Sequence, residues 1–215
     1  MITEIYLIRH GESEANLSHR ACGFTDSPLT DLGRLQAKIT AEALADLEVD
    51  AIFSSDLSRA YETALAHAEL RGTSVIKSEA LREIHLGEWE YMQVDDIIAK
   101  YGAESYHDGW RENFGTYIIP GSEGAVNCGK RIFGEIKRIC DSADYRRIFI
   151  VSHGAAIRSF YSLVLGLAPE EMGKAIQYPS NASYSVVTYD GESFTAKEYS
   201  VDSHMEKIGI TKVNW

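Results

Sequence analysis

Two apolar runs stand out along the chain, Ile5-Tyr6-Leu7-Ile8 and Ile148-Phe149-Ile150-Val151, and each ends in polar residues and a glycine. Unbroken apolar stretches of this length predict strands covered on both faces. Downstream of the first, Thr30 is placed to cap a helix whose apolar positions Leu32, Leu35, Ile39, Ala43 and Leu47 follow the helical period. Ala51-Ile52-Phe53 predicts another strand, closed by Ser54-Ser55-Asp56, whose side chains can cap the helix expected from about Leu57 to Leu70. Ser74 to Lys77 then reads as a further strand.

The middle is less regular. A short helix is expected near Val94 to Tyr101, followed by a segment rich in Trp, Phe, Tyr and Gly from Tyr106 to Gly121. So long an interruption between regular elements predicts a cap or lid, roughly over 84–121. Ala125, Cys128, Ile132, Phe133, Ile136, Ile139 and Cys140 form one face of a helix, and two helical segments follow the second apolar strand to about Lys174. Tyr184 to Tyr189 and Phe194 to Tyr199, joined through Asp190-Gly191, predict a closing hairpin. Strand and helix alternate without repeat, low-complexity tract or linker. The pattern predicts one α/β domain over 1–215, three-layer α/β/α with a mainly parallel sheet.

Composition narrows the partners. The 215 residues carry 21 Lys plus Arg against 32 Asp plus Glu, a formal net charge of −11. An acidic surface of that kind speaks against nucleic acid and anionic membranes but leaves room for a local anion site. The longest charge-free stretch, Ala175 to Tyr189, is 15 residues and too polar to span a bilayer. Three cysteines without a C-x-x-C pair, and an N-terminus without the features of a signal peptide, predict reduced thiols and a cytoplasmic protein.

Two of the seven histidines share one context. His10 follows the first apolar strand and precedes Gly11; His153 follows the second and precedes Gly154. Both therefore sit at the carboxyl ends of buried strands, where open α/β sheets bind ligands. A single strand-end histidine can be a hydrogen-bonded structural residue; a matched pair points to a site. Arg9 adjoins His10, and Arg59 falls in the first turn of the helix that Asp56 could cap. Guanidinium forks and a helix N-terminus suit phosphate oxygens, and a neutral imidazole among them could attack phosphorus.

These residues resemble the histidine phosphatase, or phosphoglycerate-mutase-like, superfamily. Arg9-His10-Gly11-Glu12 with Asn16 resembles its Arg-His-Gly signature. Gly23 to Ala37, Ser54 to Ala64, Leu81 to Glu90 and Ser152-His153-Gly154 resemble its later blocks, in the family's order from residue 5 to 158. The resemblance implies a phosphoglycerate-mutase-like fold with a small cap. It implies His10 as nucleophile, with Arg9, Arg59 and His153 on the phosphoryl group. Gly11, Asn16, and the backbone around Cys22, Gly23, Gly154 and Ala155 would line the same site. Glu83 would be the general acid and base. No cofactor and no metal are implied.

Within that family, Glu83 is followed by Ile84-His85-Leu86-Gly87-Glu88-Trp89-Glu90, the form of the phosphatase branch, and residues 91–121 hold Arg111 as their only arginine. Hydrolysis of a small phosphorylated metabolite is therefore favoured over cofactor-dependent phosphoglycerate mutase activity. Tyr91 stands where a glycine is common, and Ser122 replaces the second glycine of a Pro-Gly-Gly-Glu pattern. Trp110, Phe114 and Tyr117 are candidates for the pocket roof, or packing of the cap onto the sheet. Gly124 to Lys130 has the spacing of a phosphate-binding loop, but Arg131 stands where Ser or Thr must hold Mg²⁺, so that reading is rejected. A metal hydrolase using His10, His153 and Glu83 is a rival, disfavoured by the adjacent arginine. A non-catalytic phospho-ligand binder is another, disfavoured because both nucleophile and acid are present. A homodimer is compatible with any of these readings.

Overall fold

The computed structural model describes residues 1–206. In chain order the elements are β1 (Thr3–Arg9), α1 (Glu14–Leu17), α2 (Asp31–Ala43), β2 (Ala51–Ser54), α3 (Ser58–Arg71), β3 (Val75–Lys77), α4 (Val94–Tyr101), α5 (Gly124–Asp141), β4 (Arg147–Ser152), α6 (Gly154–Val164), α7 (Met172–Ala175), β5 (Tyr184–Tyr189) and β6 (Phe194–Val201). Six strands form one sheet in the order β3-β2-β4-β1-β5-β6. The first four of these run parallel, and the closing hairpin adds β5 antiparallel to β1.

The expected apolar strands are the two central ones. Ile148 to Val151 are fully buried, as are Ile5, Leu7 and Ile8, because helices cover both faces. On one face, α5 and α6 bring Ile132, Ile136, Ile157 and Phe160 onto Ile5, Leu7, Ile148 and Ile150. On the other, Ala60, Ala64 and Ala68 of α3 pack with Ile8, Ile52, Phe149 and Val151. Alanines allow α3 to lie close against the sheet. The phosphate-loop spacing at Gly124 to Lys130 lies in the first turns of α5, a continuous helix, as its apolar face implies.

The segment between β3 and α5 shares the main core. Its centre is Trp89, whose ring meets Tyr101, Tyr106, Trp110 and Tyr117 at centroid distances of 5.9, 6.3, 6.3 and 6.0 Å. Ser105–Glu112 winds as a π-helix and buries Tyr106, Gly109 and Trp110. Gly87 has φ of 55°, and a Cβ there would meet the Pro120 carbonyl at 2.2 Å, so only glycine fits this return of the chain. Tyr91 also takes a left-handed φ, 61°. Its ring is covered by the Arg20 guanidinium at 5.0 Å, while Arg20 donates to the Tyr91 carbonyl at 3.0 Å. These contacts offset the strain of a side chain where glycine would be easier.

Two sequence-based expectations are corrected. The first concerns the face of α2. Thr30 does cap it, accepting from the Gly33 N–H at 3.0 Å. Yet the buried positions are Gly33, Gln36, Ala37, Thr40 and Ala41, while Leu35 is 44% exposed. The polar side chains turn inward because loops need them. The Gln36 amide oxygen accepts from the Glu12 N–H at 2.8 Å, and the Thr40 hydroxyl donates to the Ala182 carbonyl at 2.9 Å. The second concerns Asp56, which does not cap α3. Its carboxylate pairs with both Nε and Nη2 of Arg82. The cap comes from Asp26, whose Oδ1 accepts from the Ser58 N–H and hydroxyl at 2.9 Å each.

The inverted face makes a stability prediction. Thr40→Val, which removes a buried donor from the Ala182 carbonyl, is expected to cost about 1–2 kcal/mol. Leu35→Ala, on the face that periodicity alone would bury, is expected to cost less than about 0.5 kcal/mol. Denaturant unfolding of the two variants checks the order, and the reverse order would refute this account of α2.

Candidate active site

The site is built where β1 and β4 end. Their parallel register pairs Arg9 with Ser152, so the next residues, His10 and His153, emerge side by side. The His10 N–H donates to the Ser152 carbonyl at 3.1 Å, and the two imidazole rings lie 5.1 Å apart at an angle of 64°. Gly11 follows at a point where a Cβ would sit 2.3 Å from the Gly33 carbonyl oxygen, so the turn after His10 requires glycine.

The hydrogen bonds of His10 settle its tautomer. Nδ1 lies 2.6 Å from the Gly11 carbonyl oxygen, which can only accept. The proton therefore sits on Nδ1 and leaves the Nε2 lone pair unprotonated. Burial drives this imidazole well below its ordinary pKa, and Arg59 and Arg9 push it the same way. His153 is completely buried and is likewise held well below the ordinary value by burial, Arg59 and His10. Its Nε2 meets the Ser55 hydroxyl at 2.8 Å, and its Nδ1 has no hydrogen-bond partner.

Two guanidinium groups are anchored beside the histidines mainly by carbonyl oxygens. Arg59, 1% exposed, donates to the carbonyls of Thr25 and Gly23 at 3.0 and 2.8 Å and reaches that of Cys22 at 3.5 Å. Arg9 donates to the Pro179 carbonyl and stacks 5.0 Å over the Tyr178 ring, while its Nε is buried without a partner. Carbonyl anchors orient a guanidinium, and Arg59 also has the exposed Asp26 carboxylate at 4.0 Å.

Glu83 completes the cluster at 5% exposure. Its Oε1 accepts from the Ile84 and Ala156 N–H groups at 2.8 Å each, and its Oε2 from Ala155 at 3.1 Å and the Tyr178 hydroxyl at 3.3 Å. The N-terminus of α6 is therefore already occupied by this carboxylate. Burial raises the Glu83 pKa and outweighs the lowering by these N–H groups and Arg59. Arg131 holds the preceding backbone, donating to the carbonyls of Ala80, Arg82 and Glu83 at 2.9, 3.0 and 2.9 Å.

A cavity with about 520 Å³ of empty space, its mouth included, opens onto this cluster. Of the residues expected from sequence, it is lined by Arg9, His10, Asn16, Cys22, Arg59 and Glu83. The Asn16 side-chain oxygen accepts from Ser13 N–H and the Asn181 amide, both at 3.1 Å. Cys22 is held protonated, its pKa raised by burial to about 11, and its Sγ donates to the Thr25 carbonyl at 3.0 Å. Gly11, Gly23, Gly154, Ala155 and His153 stand behind the lining. The Ala155 N–H is taken by Glu83, and a Cβ on Gly154 would meet the Tyr178 ring at 2.1 Å.

Several residues were not singled out for the site from sequence. Trp89 and Tyr106 join Trp110 on the cavity wall, whereas Phe114 packs under the Arg158 guanidinium and Tyr117 against Gly109. Tyr178, which touches both Arg9 and Glu83, lies in a connecting segment with no motif. Glu90 gathers the backbone N–H groups of Gly23, Phe24 and Thr25 at 3.3, 2.9 and 3.1 Å, fixing the loop that holds Arg59. Its place inside the Leu81 to Glu90 block was the available signal. Among the described residues no group of three or more His, Cys, Asp or Glu is placed to hold a metal ion, and no helix is long and apolar enough to cross a membrane.

Neutral buried histidines impose a pH dependence on stability. His10, His153 and His67, the last lowered by burial to about 3, bind protons in the unfolded chain below about pH 6.5 but not in the fold. Stability from them is present above that pH and is lost as pH falls. Glu83 works in the opposite sense, since the fold retains its proton above the unfolded value. Because three histidines act against one carboxyl, the four groups together are expected to lower stability as pH falls toward 5. Denaturant unfolding from pH 7 to pH 5 measures this, and a flat profile would refute the neutral buried histidines.

The histidine phosphatase superfamily (branch 1) matches residues 5–202. The chain is 30% identical over 210 residues to phosphoserine phosphatase 1 of Hydrogenobacter thermophilus, covering 97% of each chain. It is 31% identical over 219 residues to a probable phosphoglycerate mutase of Proteus mirabilis, covering 98% of each. Among solved structures, mycobacterial glucosyl-3-phosphoglycerate phosphatase in complex with inorganic phosphate superposes with a TM-score of 0.82 at 29% identity, covering 94% of this chain and 99% of that one.

Proposed function

Because this chain belongs to branch 1 of the histidine phosphatase superfamily, we propose that it is a phosphomonoesterase acting through a phosphohistidine at His10. Its substrate is a small phosphorylated metabolite, and it works without a metal ion. One observation carries the reading: His10 presents an unprotonated Nε2 beside two charged, carbonyl-anchored arginines, in a cavity that also exposes a carboxyl of raised pKa.

In the first step the Nε2 lone pair attacks phosphorus. The ester P–O bond breaks, and its electron pair leaves on the alcohol oxygen, which takes the proton of Glu83. Arg9, Arg59 and His153 stabilise the equatorial oxygens, and Asn16 contributes its amide. In the second step the Glu83 carboxylate takes a proton from water. The water oxygen attacks phosphorus, and the P–N bond returns its electron pair to Nε2. One residue serves both steps because the same carboxyl lies next to the departing and the entering oxygen.

One feature supports hydrolysis over phosphoryl transfer between substrate positions. Arg111, the only arginine of residues 91–121, is exposed and does not line the cavity. Relatives named as phosphatases and as mutases both occur, so the name of a relative does not decide. Burial also keeps the Cys22, Cys128 and Cys140 thiols protonated, which suits a reducing cytoplasm.

The test is hydrolysis of p-nitrophenyl phosphate in excess EDTA. Activity is expected to survive the chelator, and His10→Ala to lose it by at least about 10³-fold. Glu83→Gln is expected to lose about 10²–10⁴-fold on alkyl phosphates and less on p-nitrophenyl phosphate, whose leaving group needs no proton. In the wild type, the rate on alkyl phosphates should fall as pH rises through the raised Glu83 value. Loss of activity in EDTA would refute metal independence, and full activity in His10→Ala would refute the phosphohistidine route.

A further inference from the structure

The phosphatase reading leaves the alcohol half of the substrate open, and the far wall of the cavity addresses it. That wall is Ala21, Ile84, Leu86, Trp89, Tyr106 and Trp110, none of which carries a charge. Both cations of the lining, Arg9 and Arg59, act on His10 and belong to the phosphoryl end. Glu83 is engaged by three backbone N–H groups and the Tyr178 hydroxyl. A carboxylate on the alcohol would therefore be desolvated against aromatic rings without a counter-charge.

The wall is nevertheless not purely apolar. Trp89 is 1% exposed and Tyr106 4% exposed, and neither the indole Nε1 nor the phenol oxygen has a hydrogen-bond partner. An indole N–H can only donate, and buried donors in a folded protein are normally paired. The two ring centroids lie 6.3 Å apart. The phenol is kept protonated, since burial raises its pKa to about 12.

We propose that the alcohol released carries no carboxylate and bears an acceptor oxygen, a hydroxyl, ether or carbonyl, which takes hydrogen bonds from Trp89 Nε1 and the Tyr106 hydroxyl. Trp110 packs against its carbon skeleton. The proposal rests on the phosphatase reading. It excludes substrates whose leaving group carries a carboxylate.

Glycerol 3-phosphate and 3-phosphoglycerate test it directly, because they differ by a hydroxymethyl against a carboxylate. Propyl phosphate supplies the analogue without hydroxyls. Glycerol 3-phosphate is expected to exceed 3-phosphoglycerate and O-phosphoserine in kcat/KM by at least about tenfold. Trp89→Phe and Tyr106→Phe are each expected to lower the ratio of glycerol 3-phosphate to propyl phosphate by about tenfold. Tyr106→Phe deletes one oxygen, and its melting temperature is compared with wild type so that a fold defect is not read as a binding one. Equal or better turnover of either charged substrate overturns the proposal, as does an unmoved ratio in both variants. Turnover of p-nitrophenyl phosphate alongside separates the two readings. If it persists, only the substrate class falls; if it is absent, the phosphatase reading falls with it.

Discussion

Parallel pairing of β1 with β4, in the register that sets Arg9 beside Ser152, is the constraint on which the site depends. A slip of one residue would send His10 or His153 to the opposite face of the sheet. The register is secured by burial on both faces, since each central strand must place its apolar residues against α5 and α6 on one side and α3 on the other. Two histidines separated by most of the chain are thus held 5.1 Å apart by the packing of the core itself.

The same burial sets the protonation states. It lowers the pKa of His10 and raises that of Glu83, because desolvation disfavours the charged form of either group. The fold thereby shifts an imidazole toward its neutral form and a carboxyl toward its protonated form within one cavity. Carbonyl oxygens anchor the two arginines beside them. The N-terminus of α6 is directed at the Glu83 carboxylate, with Ala155 and Ala156 as donors. It steadies the acid rather than contacting a ligand through those two N–H groups.

Much of the fold is legible in the chain. Strands β1 and β4, the helix Val94–Tyr101 and the apolar face of α5 follow from runs and periods in the sequence. The face of α2 does not, since Gln36 and Thr40 are drawn inward by the Glu12 N–H and the Ala182 carbonyl. Periodicity counts only apolar positions and is blind to a buried face that pays its cost in hydrogen bonds. The cap of α3 escaped for a related reason: Asp56, next to the helix, is claimed by Arg82, while Asp26 arrives from 32 residues upstream.

By itself the sequence marked the candidate set: two histidines in matching strand-end contexts, Arg9 and Arg59, and Glu83 within an ordered series of blocks. Those signals are local, each readable in a window of a few residues. Only the tertiary structure decided which side chains surround them. Tyr178 reaches Glu83 across 95 positions, Ser55 reaches His153 across 98, and Glu90 holds the loop at Gly23 across 67. The cavity wall likewise exists only because Trp89 gathers Tyr106 and Trp110 around it. Contacts of that range leave no periodic trace in one chain, because any residue of suitable size and polarity could supply them until the fold brings a particular one into place.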